Sequence, residues 1–135
     1  MDGGEAVTES TILESEVYAP KKPTIQERFE EERALIYDWI VDHNILNDAN
    51  MVTINEDNTI DVIGDVDLSE SMFSKLPYYI QFNEVDGNFN VSGNTELKTT
   101  EGFPKKINES LDLRECPNLS ILKWSGNVKG EFLCD

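Results

Sequence analysis

One seven-residue phrase recurs in the second half of this 135-residue chain and constrains the fold more than any other feature. Its copies are Val62-Ile63-Gly64-Asp65-Val66-Asp67-Leu68, Val85-Asp86-Gly87-Asn88-Phe89-Asn90-Val91, Ile107-Asn108-Glu109-Ser110-Leu111-Asp112-Leu113 and Val128-Lys129-Gly130-Glu131-Phe132-Leu133-Cys134. Their first residues, at positions 62, 85, 107 and 128, lie 23, 22 and 21 residues apart. A period in the low twenties, with each copy ending on alternating apolar residues, is the pattern of a solenoid. One unit alone cannot bury its own face, so successive units must stack into a shared core.

The two-residue period of a strand assigns the faces within each copy. Val66 and Leu68, Phe89 and Val91, Leu111 and Leu113, and Phe132 and Cys134 are expected to point inward as one ladder. Asp65 and Asp67, Asn88 and Asn90, Ser110 and Asp112, and Glu131 and Leu133 form the opposite ladder. The return segments carry matching apolar positions: Phe73 with Leu97 and Leu119, Leu76 with Thr100 and Leu122, then Val85, Ile107 and Val128. Pro77 and Pro104 close two returns, and Gly64, Gly87 and Gly130 mark a tight approach to three of the strands.

Ahead of the repeats, Thr24-Ile25-Gln26-Glu27 is a capping-box sequence, followed by Ile25, Phe29, Ile36 and Ile40 at helical spacing with Leu35 and Trp39 widening the stripe. This predicts a helix over roughly residues 25–45 that covers one open end of the solenoid. Met51 to Asn55 and Thr59 to Val62 flank Glu56-Asp57-Asn58 and predict a β-hairpin. Residues 1–23, rich in Glu, Ser, Thr and Gly, predict a disordered acidic tail in which Ile12, Leu13, Val17 and Tyr18 could form a docking motif. The expected organisation is therefore a tail over 1–23, a capping helix over 24–50, and a hairpin plus repeat solenoid over 51–135. The fold class is α+β: a short leucine-rich-repeat-like β-solenoid with an N-terminal capping helix and β-hairpin.

Charge narrows the partners. The net charge is −16, with −8 in residues 1–50, −7 in 51–100 and −1 in 101–135. Such a potential repels nucleic acid and anionic membrane and steers in basic protein surfaces. No apolar run is long enough to span a bilayer and no signal peptide is evident, which predicts a protein of a reducing cytoplasm. Cys116 and Cys134 are too few for a disulfide framework.

No catalytic or metal-binding constellation emerges. His43 is the single histidine and sits where it would cap or pack against the helix end. The Asn55 to Asn58 cluster lacks the loop length and ligand offsets of an EF-hand. Asp65 and Asp67 read as a solvated ladder, since nothing supplies the apolar pocket that an acid/base pair needs. No cofactor is expected. As a surface, however, Asp61, Asp65, Asp67, Glu70, Glu84 and Asp86 are expected to converge over the first two turns, with Asp112 extending the row, and to meet a partner rich in Lys and Arg. A second candidate surface is the terminal phrase Glu131, Phe132, Leu133 and Cys134, read as an open strand edge that serves as a homodimer seam or as the docking site of a target.

The run Asn58 to Leu68, then Leu76-Pro77, Val85-Asp86-Gly87-Asn88-Phe89 and the corner Glu101-Gly102-Phe103-Pro104-Lys105-Lys106, resembles the leucine-rich-repeat-like proteins of tailed bacteriophages over about residues 35–135. Thr100 stands where those proteins usually have leucine. The resemblance implies a phage origin and a short helix and hairpin before degenerate repeats, and it implies no activity. Together with the charge, it leads to the expectation of a non-enzymatic interaction module that binds and inhibits a host protein of a defence or restriction system, in the cytoplasm of an infected bacterium. Acidic mimicry of nucleic acid is one form of that expectation, without direct binding to nucleic acid or membrane. The alternative is a structural or assembly component that oligomerises through its last strand.

Overall fold

The computed structural model of the protein describes residues 24–121 and 123–135. The expected tail over 1–23 and the return position Leu122 lie outside the described residues. The described residues fall into two units, one that ends at Glu30 and one over Glu31–Asp135. In the first unit the capping box forms as its sequence requires. The Glu27 N–H donates to Thr24 Oγ1 at 3.0 Å, and Glu27 Oε1 accepts from the Thr24 N–H at 2.8 Å.

Helix α1 spans Ile25–Asp42. It stops short of residue 45 because Asn44 adopts a left-handed φ of 57°, which lets the N–H groups of Ile45 and Leu46 turn back to the Ile40 carbonyl at 2.8 and 3.1 Å. Ile36, Trp39 and Ile40 are buried, whereas Leu35 is 43% exposed on the helix flank. His43 does pack at the helix end: its Nδ1 lies 2.9 Å from the Trp39 carbonyl oxygen and its ring is 4.3 Å from the indole.

The hairpin consists of β1 (Met51–Ile54) and β2 (Thr59–Ile63), antiparallel with Met51 opposite Ile63 and Thr53 opposite Asp61. Its turn is held by Asn58 at φ 66° and by Asp57, whose Oδ1 accepts from both the N–H and the hydroxyl of Thr59. Those bonds hold the Asp57 carboxyl below its ordinary pKa. Arg33 of α1 donates to the Asn55 carbonyl (2.8 Å), Asn58 Oδ1 (3.2 Å) and the Ile54 carbonyl (3.2 Å). One side chain thereby ties the helix to the hairpin and occupies one end of the β1 edge.

The repeats form a β-solenoid, and each coil contributes two short strands rather than one. β3 (Val66–Asp67), β5 (Phe89–Asn90), β7 (Leu111–Asp112) and β9 (Phe132–Leu133) form a parallel sheet in the register the repeated phrase dictates. The positions read as ends of return segments, Val85, Ile107 and Val128, lie instead in β4 (Gln81–Asp86), β6 (Lys106–Ile107) and β8 (Asn127–Val128). These extend the hairpin into a five-stranded sheet ordered β1-β2-β4-β6-β8. At the corner between the sheets, a Cβ on Gly87 would come within 2.2 Å of the Gly64 carbonyl oxygen, so only glycine permits that approach.

The core lies between the sheets. Val66, Leu68, Phe89, Val91, Leu111 and Leu113 are buried as the alternation demands. Trp39, Phe82, Phe89 and Phe103 form a file of edge-to-face contacts with centroid separations of 6.3, 5.4 and 5.3 Å. The ladder breaks at its last step: Phe132 is 40% exposed and Cys134 is exposed, because among the described residues no further coil stacks on β9. Thr100 is buried in its leucine position and its carbonyl accepts the Phe103 N–H at 3.0 Å, closing the corner.

Candidate protein-binding surface

The solenoid separates the acidic row that the sequence suggested. In β2 and β4, Ile60, Val62, Phe82 and Val85 are buried, so Asp61, Glu84 and Asp86 project from the outer side of the five-stranded sheet. A bulge between Ile60 and Asp61 sets Asp61 opposite Glu84. Asp65 sits at the corner, Asp67 and Asp112 lie on the outer side of the second sheet, and Glu70 follows in the turn at φ 51°. Two faces thus share the seven residues.

Most of these carboxylates also hold the coils together. Asp61 Oδ1 accepts from the Asn83 amide (2.9 Å) and the Glu84 N–H (3.1 Å), while Oδ2 accepts from the Asn55 amide (3.2 Å). At the corner, Asp65 Oδ1 accepts from the Asn88 N–H at 2.8 Å, Asn88 Oδ1 from the Ser110 N–H at 2.9 Å and Ser110 Oγ from the Glu131 N–H at 3.2 Å. Residues at one repeat position therefore pass a hydrogen bond from each coil to the next, which explains Asp65 without any ligand. Asp67, Asn90 and Asp112 cap the turns after their strands by accepting the N–H groups of Ser69, Ser92 and Arg114 at 3.0, 2.9 and 3.1 Å. The Arg114 guanidinium adds bonds of 3.0 and 2.7 Å to Asp112 and holds that carboxyl below the usual range.

Glu84 and Asp86 are the remaining carboxylates on the five-stranded sheet, Asp86 exposed and Glu84 half-buried, while Glu70 is exposed in its turn. The Asn108 amide donates to Glu84 Oε2 at 2.9 Å and Asp86 Oδ1 at 3.1 Å, although this leaves Asn108 Oδ1 buried without a hydrogen bond. The negative field of the two carboxylates dictates that orientation. Lys106 reaches Glu84 only at 3.9 Å, a weak contact between half-exposed groups. Strands β1, β2 and β4 carry no lysine or arginine of their own, so the field on this part of the sheet is mainly negative, bordered by Lys106 of β6 and by Arg33 of α1.

At the other candidate surface, Glu131 is exposed, Leu133 is half-buried, and Phe132 rests against Trp124 with ring centroids 6.4 Å apart. Leu113, Cys116, Leu119, Ile121, Cys134 and Asp135 line a depression of about 660 Å³ beside this strand. Cys116 is half-buried and burial pushes its thiol pKa up, which disfavours the reactive thiolate.

One position escaped the alternation reading. Asn94 is fully buried: Oδ1 accepts the N–H groups of Ser71 (3.0 Å) and Phe73 (3.1 Å), and Nδ2 donates to the carbonyls of Leu68 and Val91, both at 2.8 Å. One coil later Cys116 directs its Sγ to the Val91 carbonyl at 3.2 Å. The available signal was the same three-residue offset from Val91 and from Leu113.

Among the described residues no three His, Cys, Asp or Glu side chains are grouped to hold a metal ion. No helix among them is long and apolar enough to cross a membrane. No protein-family model matches the chain, and neither a curated protein nor a solved structure matches it.

Proposed function

We propose that this chain is a phage-encoded interaction module that binds a basic surface of a host protein and inhibits it, the target class being a nucleic-acid-handling enzyme of a defence or restriction system. The observation that carries the binding half of this reading is the outer side of β2 and β4. Asp61, Glu84 and Asp86 are held there by short backbone-supported strands, with no base on β1, β2 or β4. A pre-ordered, mainly negative face complements lysine and arginine arrays at little conformational cost. The phage origin rests on the resemblance of the repeats and of the Glu101 to Lys106 corner to phage leucine-rich-repeat-like proteins, and the target class on that origin taken together with the acidic charge and the want of a catalytic constellation in the sequence. The module acts by occupancy, with no catalysis, in the cytoplasm of the infected cell.

Acidic mimicry of nucleic acid is the sharper form of this proposal, and it predicts steep salt dependence and competition by duplex DNA. Affinity capture from infected cells tests the function: a stoichiometric host protein, released by salt, supports it, and recovery of none refutes it. A second reading, an assembly component that self-associates through β9, is favoured by the exposure of Phe132 on that strand and of Cys134 just after it. Sedimentation over a wide concentration range separates the two, since a monomer throughout excludes self-association.

A further inference from the structure

Beside the carboxylates, the hairpin presents an apolar pair that the acidic reading leaves unexplained. Met51 and Ile63 are Cα partners across β1 and β2, and they are 69% and 54% exposed. Val62 in the same strand is buried and Val52 packs against the core, so the pair projects outward, on the side that Asp61 occupies. Ile63 is in turn the register partner of Asp86 on β4, and Asp61 that of Glu84. Two large apolar side chains therefore adjoin three carboxylates on one sheet face.

The pair is rigidly placed. Asn50, immediately before Met51, donates from Nδ2 to the carbonyls of Ile45 (3.0 Å) and Asp65 (2.9 Å), pinning the start of β1 to the corner after β2. Arg33 already occupies the Ile54 and Asn55 carbonyls, which blocks strand addition at that end of the β1 edge. What remains open is the face itself, read through side chains.

We infer that Met51 and Ile63 form the apolar anchor of the binding face, and that its occupant is a basic protein segment presenting an aliphatic or aromatic side chain flanked by lysine or arginine. Charge complementarity selects this occupant: Asp61, Glu84 and Asp86 stand along one side of the pair, no base lies on these strands, and the first base on the sheet is Lys106 of β6. Anchors of this kind are buried in the centre of an interface while charged neighbours set the approach and the specificity. This inference rests on the proposed basic partner and adds what that partner must carry.

The test uses the full chain and two fluorescent peptides, one alternating lysine with leucine and one alternating lysine with serine, measured by anisotropy at low and high salt. The account predicts that the lysine–leucine peptide binds about tenfold or more tighter than the lysine–serine peptide, as expected from burying apolar side chains on an anchor. The double variant Met51→Thr/Ile63→Thr, which places β-branched strand formers at both positions, abolishes that difference. Tyr78→Ser, at a side chain 72% exposed elsewhere, leaves it intact. Equal binding of the lysine–leucine peptide to the wild type and the double variant overturns the anchor. If that binding is still salt-sensitive and is weakened by Glu84→Gln/Asp86→Asn, the basic-partner reading survives alone. Failure of both peptides to bind at low salt overturns both.

Discussion

Asn94→Ala is the substitution on which the architecture is most exposed to refutation. The Asn94 side chain is fully buried and makes four hydrogen bonds to main-chain groups of residues 68, 71, 73 and 91, which belong to two successive coils. Truncation leaves two N–H groups and the Leu68 C=O without their partner and leaves the Val91 C=O only the weak Cys116 thiol at 3.2 Å, and each such buried group costs about 1–3 kcal/mol. The space vacated is large enough for one water molecule, which can satisfy two or three of the four groups, so the net loss is about 3 kcal/mol. With a urea slope of about 1.5 kcal/mol/M for a chain of this size, the unfolding midpoint falls by about 2 M. Trp39 fluorescence reads the transition, since the indole is buried against Phe73 and Phe82. The control is Asn118→Ala, which removes one exposed bond to the Thr95 carbonyl and costs about 1 kcal/mol or less. Equal, small shifts for both variants would refute the claim that a buried amide splices the coils. Asn94→Asp adds a second constraint. It keeps the two accepted bonds but faces a desolvated carboxylate toward two carbonyls, so its folded-state pKa rises above the unfolded value. Its deficit relative to wild type therefore shrinks as pH falls from 7 toward 4.

Further expectations concern the other splices. Gly87→Ala drives a Cβ into the Gly64 carbonyl oxygen at 2.2 Å and costs about 1–3 kcal/mol or more in thermal or urea unfolding, a cost that no flexible side chain can absorb. Arg33→Ala removes three bonds between α1 and the hairpin turn, lowers stability by about 1–2 kcal/mol, and speeds hydrogen exchange in β1 before that in β5 or β7. Asp112 has its folded-state pKa depressed by Arg114, so its stabilisation is fully present above the unfolded pKa of about 4 and is lost as pH falls through the lower folded value. Asp112→Asn should remove that part of the acid sensitivity in a pH titration of unfolding.

The repeat was legible because Val66, Phe89, Leu111 and Phe132 recur at register positions, and the observed pairing follows that register residue by residue. The hairpin was legible because its turn needs a residue such as Asn58 that tolerates a positive φ. The second strand of each coil was not, since Val85, Ile107 and Val128 each stand alone between polar neighbours and give no alternation to read. Asn94 was missed for a related reason: polarity ordinarily signals the outside, and only its four main-chain partners reveal why it is inside. The acidic row was overread because sequence proximity does not show that a corner lies between Asp61 and Asp67. The sheet pairings place the first with Glu84 and the second with Asn90. Met51 was placed in the hairpin and Ile63 lies one residue past the expected strand end at Val62; which side of the hairpin they would face depended on the coil that packs beneath it.

The most direct test of the functional account is quantitative capture of a basic host protein on the immobilised full chain, comparing wild type with the charge-reversed variant Glu84→Lys/Asp86→Lys. The account predicts one stoichiometric partner at low salt, released as salt rises, absent from the charge-reversed variant and retained by Tyr78→Ser. A partner held equally by wild type and the charge-reversed variant would contradict it, as would a wild-type chain that retains none.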